Sequence, residues 1–266
     1  MTEATAAIGN IRTEVHGHVL KIIIDNASKR NSINPEMMEK LHEAMTVLDE
    51  TDDYWVGVLC AEGRDFTAGL DLPKFFDQNA NRTGTWAPKK GKVDVLGLES
   101  RCRKPVVTAV QGLVYAIGLE LMLAGDIVIA ADDSRFCQME SSRGLAPLGG
   151  GHFRYLSRTG WGDAMYHLFL CDVFNAERAY KIGFAQEVVP VGKQIERAME
   201  IAQLIAKNAP IGIQVTKEAA LKYVEGGETA ALAFLPEMAD RVLKSEDVKE
   251  GILSFIERRA ASFRGR

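Results

Sequence analysis

Residues 106–131 read VVTAVQGLVYAIGLELMLAGDIVIAA, and how this stretch is divided decides the fold. From Leu113 to Ala131 it is the most apolar part of the chain, long enough to suggest a membrane span. Glu120 and Asp126 lie inside it, however, and each carboxylate near a bilayer centre would cost roughly 2.5–3.5 kcal/mol. Gly118 and Gly125 interrupt it as well. The stretch is therefore buried protein core. Val106–Val110 and Ile127–Ala131 are short, apolar strands, and 118–124 between them reads as a helix. Strand, helix, strand in this order predicts an α/β fold built from repeating turns.

Upstream, Val19–Ile24 is β-branched and short, hence a strand, paired with Ile11–His16 across a turn at Gly17. Asn34-Pro35-Glu36 supplies an N-cap, a proline at the first helical position and an acid in the first turn. Met38, Leu41, Met45 and Leu48 then recur at helical spacing, so one face of that helix is buried. Val56–Cys60 is another buried strand. Beyond about residue 195 the strands stop, and 195–207, 211–224, 229–243 and 246–261 read as helices. Asn208-Ala209-Pro210, Glu225-Gly226-Gly227 and the N-cap Ser245 separate them. The expected organisation is a body over 1–195 and a helical region over 196–266. Residues 78–92 form the only long polar stretch, which reads equally as a surface loop or as a lid over a site.

The 266 residues are 47% hydrophobic and 26% charged, the composition of a globular domain. Against 32 Lys+Arg stand 36 Asp+Glu, a net charge of −4, where a dedicated nucleic-acid binder carries a basic excess. Cys60, Cys102, Cys137 and Cys171 are far apart with no C-x-x-C pair, which suits a reducing compartment better than a disulfide scaffold. Residues 1–10 contain Glu3, no basic residue and no apolar run, so neither a secretory nor a transit signal is expected. A cytoplasmic location follows as the expectation.

Several chemistries lack their motifs. The five histidines include no H-E-x-x-H, and no Cys/His cluster has metal-ligand spacing, so no metal site is expected. There is no G-x-S-x-G, Gly149-Gly150-Gly151 lacks the Lys-Ser/Thr of a phosphate loop, and no G-x-G-x-x-G follows a strand. Two glycine-bearing turns and two acids remain. One turn is 66–71, Phe-Thr-Ala-Gly-Leu-Asp, after the strand 56–60; the other is 112–118, opening the helix that carries Glu120. Helix N-termini expose unpaired N–H groups, and two such groups from different turns can converge on one oxygen. Glycine turns are also ordinary connectors. Taken singly, Glu120 is better explained by the dipole of its own helix, and Glu140 by a solvated loop, than by catalysis; two acids flanking one strand near both turns are harder to dismiss.

At this point the chain resembles the crotonase (enoyl-CoA hydratase/isomerase) family over nearly its whole length. The matching pieces are Lys29-Arg30-Asn31-Ser32, the 66–71 turn, 110–112 running through Gly118-Leu119-Glu120-Leu121, 126–130, and 135–140. Later come 183–190, Gly-Phe-Ala-Gln-Glu-Val-Val-Pro, and the tail around 250–259. Each piece is weak alone; in this order and spacing they are strong together.

The resemblance implies a spiral of ββα turns with a helical C-terminal trimerisation region, assembling as a homotrimer or a hexamer built from two trimers. It implies an acyl-CoA thioester substrate, with coenzyme A as part of that substrate, no separate cofactor, and no nucleic-acid or membrane partner. By position, the backbone N–H groups of Leu70 and Ile117 would bind the thioester oxygen. Family hydratases are similar in carrying glutamates at both Glu120 and Glu140, and dienoyl-CoA isomerases add an acid where this chain has Leu148. The hydratase pattern fits, with Glu120 activating water and Glu140 supplying the proton at C2. The resemblance further implies that Lys29, Arg30, Ala68, Asp71 and Arg258 meet coenzyme A. Phe75 and Phe76 are candidates for the acyl pocket, though core packing is the commoner role for such pairs, and His152 is a further pocket candidate in an altered segment, where a structural or surface role is the commoner one. Departures are Ala116-Ile117-Gly118 where hydratases commonly have three glycines, and Met139 where a proline is usual. The rival expectations are an isomerase or other crotonase-type lyase on the same fold, or a non-catalytic CoA- or RNA-binding protein.

Overall fold

The computed structural model describes residues 9–76 and 86–266. The polar stretch read as loop or lid falls outside the described residues up to position 85. Nine strands are seen among the described residues: β1 (Asn10–His16), β2 (Val19–Asp25), β3 (Val56–Ala61), β4 (Val106–Val110), β5 (Leu113–Tyr115), β6 (Ile127–Ala131), β7 (Arg135–Cys137), β8 (Phe174–Asn175) and β9 (Glu187–Val189). Six of them form one sheet in the order β1-β2-β3-β4-β6-β9, parallel except for the β1–β2 hairpin that turns at Gly17. The other three form a smaller sheet, β5-β7-β8.

Alternation along each strand separates two cores. On β3, Leu59 and Ala61 face the main core, while Val56, Val58 and Cys60 face the other side. On β4, Val106 and Val110 face one way and Val107 and Ala109 the other. Helix α1 (Pro35–Glu50) starts at Asn34, whose side chain accepts from the Met37 N–H at 2.8 Å. Its apolar face, Met38, Leu41, Met45 and Leu48, is buried as the spacing predicts. It packs closely because Gly57 on β3 has no side chain; a Cβ there would run into Leu48. On the opposite face lies α7 (Gln194–Ile205), with Ala198 and Ala202 fully buried against β3, β4 and β6.

The apolar stretch of the opening paragraph divides into β5, α3 (Ile117–Ala124) and β6, and no helix among the described residues is long and apolar enough to cross a membrane. Of its two carboxylates, Asp126 is structural: its Oδ2 accepts from the Val106 N–H at 2.8 Å and from Lys217 Nζ at 2.7 Å. Lys217 belongs to α8 (Pro210–Leu243), which this pair ties to the body. The break expected at Gly226-Gly227 appears as a kink inside α8, where both residues leave helical φ/ψ. After it comes α9 (Glu246–Glu257), capped by the Ser245 side chain. Between β3 and β4 lies the four-residue α2 (Leu72–Phe75), and beyond β7 are α4 (Gly151–Thr159), α5 (Trp161–Leu170) and α6 (Ala176–Lys181).

Candidate active site

The two glycine-bearing turns meet side by side. Thr67 pairs with Val114 as a parallel bridge, with the Thr67 N–H on Leu113 O at 2.9 Å and the Tyr115 N–H on Thr67 O at 3.1 Å. Asn31 holds the first turn from behind: its Nδ2 donates to the carbonyls of Glu62 and Asp65, and its own carbonyl accepts from Thr67 Oγ1 at 2.7 Å. Gly69 (φ +115°) precedes Leu70, and Ala116 (φ +52°, ψ −120°) precedes Ile117. A Cβ on Gly69 would lie 3.5 Å from the Ala116 Cβ, so the two reversed residues are neighbours. Each turns the following peptide outward. Among the described residues, neither the Leu70 N–H nor that of Ile117, the first residue of α3, has a protein acceptor.

Ala116 occupies a backbone region that suits glycine, and a non-glycine residue held there stores of order 1–3 kcal/mol. Ala116→Gly should therefore stabilise the fold by about 1 kcal/mol, read as a higher urea midpoint; an unchanged or lower midpoint would show that the alanine is unstrained.

Leu70 and Ile117, which carry these amides, line one cleft of about 840 Å³ including its mouth. Glu120 and Glu140 line the same cleft. Glu120, on α3, is 2% exposed. It does not cap its own helix; its Oε1 accepts from the Gly151 N–H at 2.8 Å, the first residue of α4. The glycine run that fails as a phosphate loop is thus what holds this carboxyl. Glu140 begins a 3₁₀ turn (Glu140–Arg143), and its Oε1 accepts from Gln138 Nε2 at 2.9 Å. Its Oε2 is buried with no partner among the described residues. Gly151 lies between Glu120 and Gln138: a Cβ there would meet Glu120 Oε1 at 3.1 Å and Gln138 Cδ at 3.3 Å.

Burial lifts the Glu120 carboxyl to about 8, helped by the charge of Glu140 and partly offset by the Gly151 amide and Arg154. Burial also raises Glu140, offset by its own N–H and by Gln138. Near neutrality Glu120 therefore keeps its proton, beside a second carboxyl whose ionisation burial also resists. Such a pair can take a proton from one atom and give one to another within a single pocket, beside two amides that can stabilise an oxyanion.

The other expected residues distribute unevenly. Ala68 and Phe76 line the cleft. The Ala68 N–H donates to Arg30 O at 2.9 Å, which seats the Lys29–Arg30 turn against the cleft. Asp71 stands at the N-terminus of α2, and the structure does not bring Arg258, at the end of α9, into the cleft. Two residues expected in the acyl pocket lie outside the cleft lining. Phe75 is 2% exposed in the main core, because adjacent helical residues point about 100° apart and Phe76 takes the cleft side. His152 is exposed one residue past Gly151 and lines a separate hollow with Gln138, Glu140 and Phe169; one ring nitrogen lies 3.1 Å from Pro147 O.

Sequence reasoning missed Trp86, Met139, Arg143, Leu145 and Leu148 as cleft lining, and Arg154 and Gln138 as supports. The signal available was the Gly149–Gly151 run ahead of a helix, a ready-made carboxylate holder. Among the described residues no group of His, Cys, Asp and Glu is arranged to hold a metal.

A model of the enoyl-CoA hydratase/isomerase family matches residues 14–266. The chain is 28% identical to the short-chain-enoyl-CoA hydratase of Clostridium acetobutylicum, over 95% of this chain and 96% of that protein. It is 30% identical to the carnitinyl-CoA dehydratase of Proteus mirabilis, over 97% and 99% respectively. A solved structure of a probable enoyl-CoA hydratase/isomerase from Mycobacterium abscessus superposes with a TM-score of 0.91 at 37% identity, covering 97% of this chain and 99% of that one.

Proposed function

This chain belongs to the enoyl-CoA hydratase/isomerase family, with the crotonase fold, and from that premise we propose that it is a hydratase adding water across the 2,3-double bond of an enoyl-CoA thioester. The observation that carries the reading is the single cleft lined by Glu120, Glu140 and the residues bearing the two free amides. Addition of water at C3 pushes electron density onto the thioester oxygen, where the Leu70 and Ile117 N–H groups receive it. Losing one such donor costs roughly 10²–10³-fold in acyl-transfer enzymes, which sets the scale here. Glu120 takes the proton of the attacking water and Glu140 delivers one to C2. For that step a proton stands on Glu140 while Glu120 is free to accept one, an arrangement reached from the free site, where Glu120 is protonated, by exchange within the coupled pair.

Water adds with no net redox change, so coenzyme A enters as part of the substrate and the reading calls for no separate cofactor. Lys29, Arg30, Ala68 and Asp71 are assigned to the coenzyme A end, and Arg258, which lies outside the cleft, is not. Ile252, Phe255 and Ile256 on α9 are 59%, 84% and 70% exposed, an apolar face that supports assembly as a trimer or a dimer of trimers. The free cysteines, three of them buried, support a cytoplasmic location.

Incubation with crotonyl-CoA tests the reaction directly: the absorbance of the conjugated thioester should fall as water adds. No change with crotonyl-CoA, together with an absorbance rise on a 3-enoyl-CoA, would replace the hydratase reading by an isomerase.

A further inference from the structure

The cleft contains a cation that hydration does not use. Arg143 closes the 3₁₀ turn that Glu140 opens, and in such a turn side chains three residues apart stand on the same side. Both line the cleft. The backbone fixes their relation: Gly144 (φ +73°) ends the turn, and the Leu145 N–H returns to Glu140 O at 2.9 Å. Among the described residues Arg143 has neither a carboxylate partner nor a hydrogen bond. Around it the lining is apolar, with Met139, Leu145, Ala146 and Leu148 nearest in sequence.

The apolar lining around it gives this cation a role. The Leu70 and Ile117 amides mark the thioester end, and the two glutamates mark C2 and C3. Arg143 stands one 3₁₀ turn past Glu140, roughly 6 Å along the turn axis, and we take its apolar surroundings, with Leu145 and Leu148, as the acyl side of the cleft. A guanidinium offers a planar fork of donors that matches a carboxylate bidentately.

We propose that the cleft selects enoyl-CoA substrates whose acyl chain ends in a carboxylate, with Arg143 pairing that terminal carboxylate a few carbons beyond C3. The inference rests on the reading of this cleft as an acyl-CoA site. The leucines beside Arg143 pack the intervening methylenes. A neutral chain leaves Arg143 in water at no cost, because it is exposed, so the selection is a gain for the diacid and not a barrier to other chains.

The test compares two probes of equal length, hex-2-enoyl-CoA and hex-2-enedioyl-CoA, together with titration of the unreactive hexanoyl-CoA and adipyl-CoA. A charge-assisted bidentate pair predicts about 10- to 100-fold higher kcat/KM and tighter binding for the diacid in the unaltered protein. Arg143→Leu should collapse that ratio, and Arg143→Lys should restore part of it. A ratio that survives Arg143→Leu overturns the proposal. So does an equal loss for both probes, which would place Arg143 on the coenzyme A phosphates. If neither enoyl-CoA is hydrated but adipyl-CoA still binds preferentially through Arg143, the hydratase reading fails and this inference stands.

Discussion

Glu120→Gln should lower kcat/KM for crotonyl-CoA by about 10²–10⁴-fold and, above pH 5, make the folded chain more stable than the unaltered protein. Glutamine keeps the oxygen that accepts from the Gly151 N–H, but it can neither take nor give the proton that hydration moves. The stability gain follows from the raised carboxyl. In the unfolded chain this group ionises near 4.5, whereas in the fold burial holds it at about 8. Its contribution is therefore fully present below pH 4.5 and is lost as the pH climbs from there to about 8, a loss of roughly 3–5 kcal/mol across the window. Glutamine has no such loss. Urea midpoints at pH 5 and pH 8 should show the variant's advantage widening with pH; a constant gap would mean that Glu120 is already ionised in the fold. In the unaltered protein, kcat/KM should also decline above about pH 8, where Glu120 gives up its proton.

Arg154→Met should destabilise the fold by about 2–4 kcal/mol and move that alkaline decline upward. Arg154, on α4, is 3% exposed and has no ion-pair partner among the described residues. Its guanidinium instead donates to Gly149 O at 2.9 Å, to Leu96 O, and to Gly97 O at 3.5 Å, and it stacks 4.9 Å from the Phe153 ring centroid. It thus fastens the 96–97 loop to the glycine run that holds Glu120. Methionine fills a similar volume but leaves those carbonyls without their donor, which carries the stability cost. The positive charge also restrains the rise of Glu120, so its removal lets that carboxyl climb further. Arg154→Lys should restore part of the pH profile. A stability loss with an unmoved alkaline limb would reduce Arg154 to a strut.

What could be read from the sequence follows the range of the forces involved. The strands 56–60, 106–110 and 127–131 were legible because consecutive β-branched residues favour one local conformation, and both faces of these strands are buried. Helix α1 was legible from its cap and its period. The three-residue strands β5 and β7 were not, since so short a segment shows no periodicity; β5 sits inside what reads locally as a turn. Asp126 and Glu120 look alike in sequence, six residues apart in one apolar run. Lys217 and the Val106 amide make the first a fastening, and α4 makes the second a buried, protonated acid.

The candidate site divides the same way. Turn residues, the two glutamates and their order along the chain are properties of the sequence, because turn chemistry and family-like spacing are local. Which of Phe75 and Phe76 faces the cleft, that His152 looks into a different hollow, and that Met139, Arg143, Leu145 and Leu148 line the cleft were decided by packing. The proton that Glu120 keeps beside Glu140 is also a product of the tertiary structure: neither residue would leave the ordinary carboxylate range until distant segments removed water from around it. Burial and convergence are sums over residues far apart in the chain, and no local pattern records them.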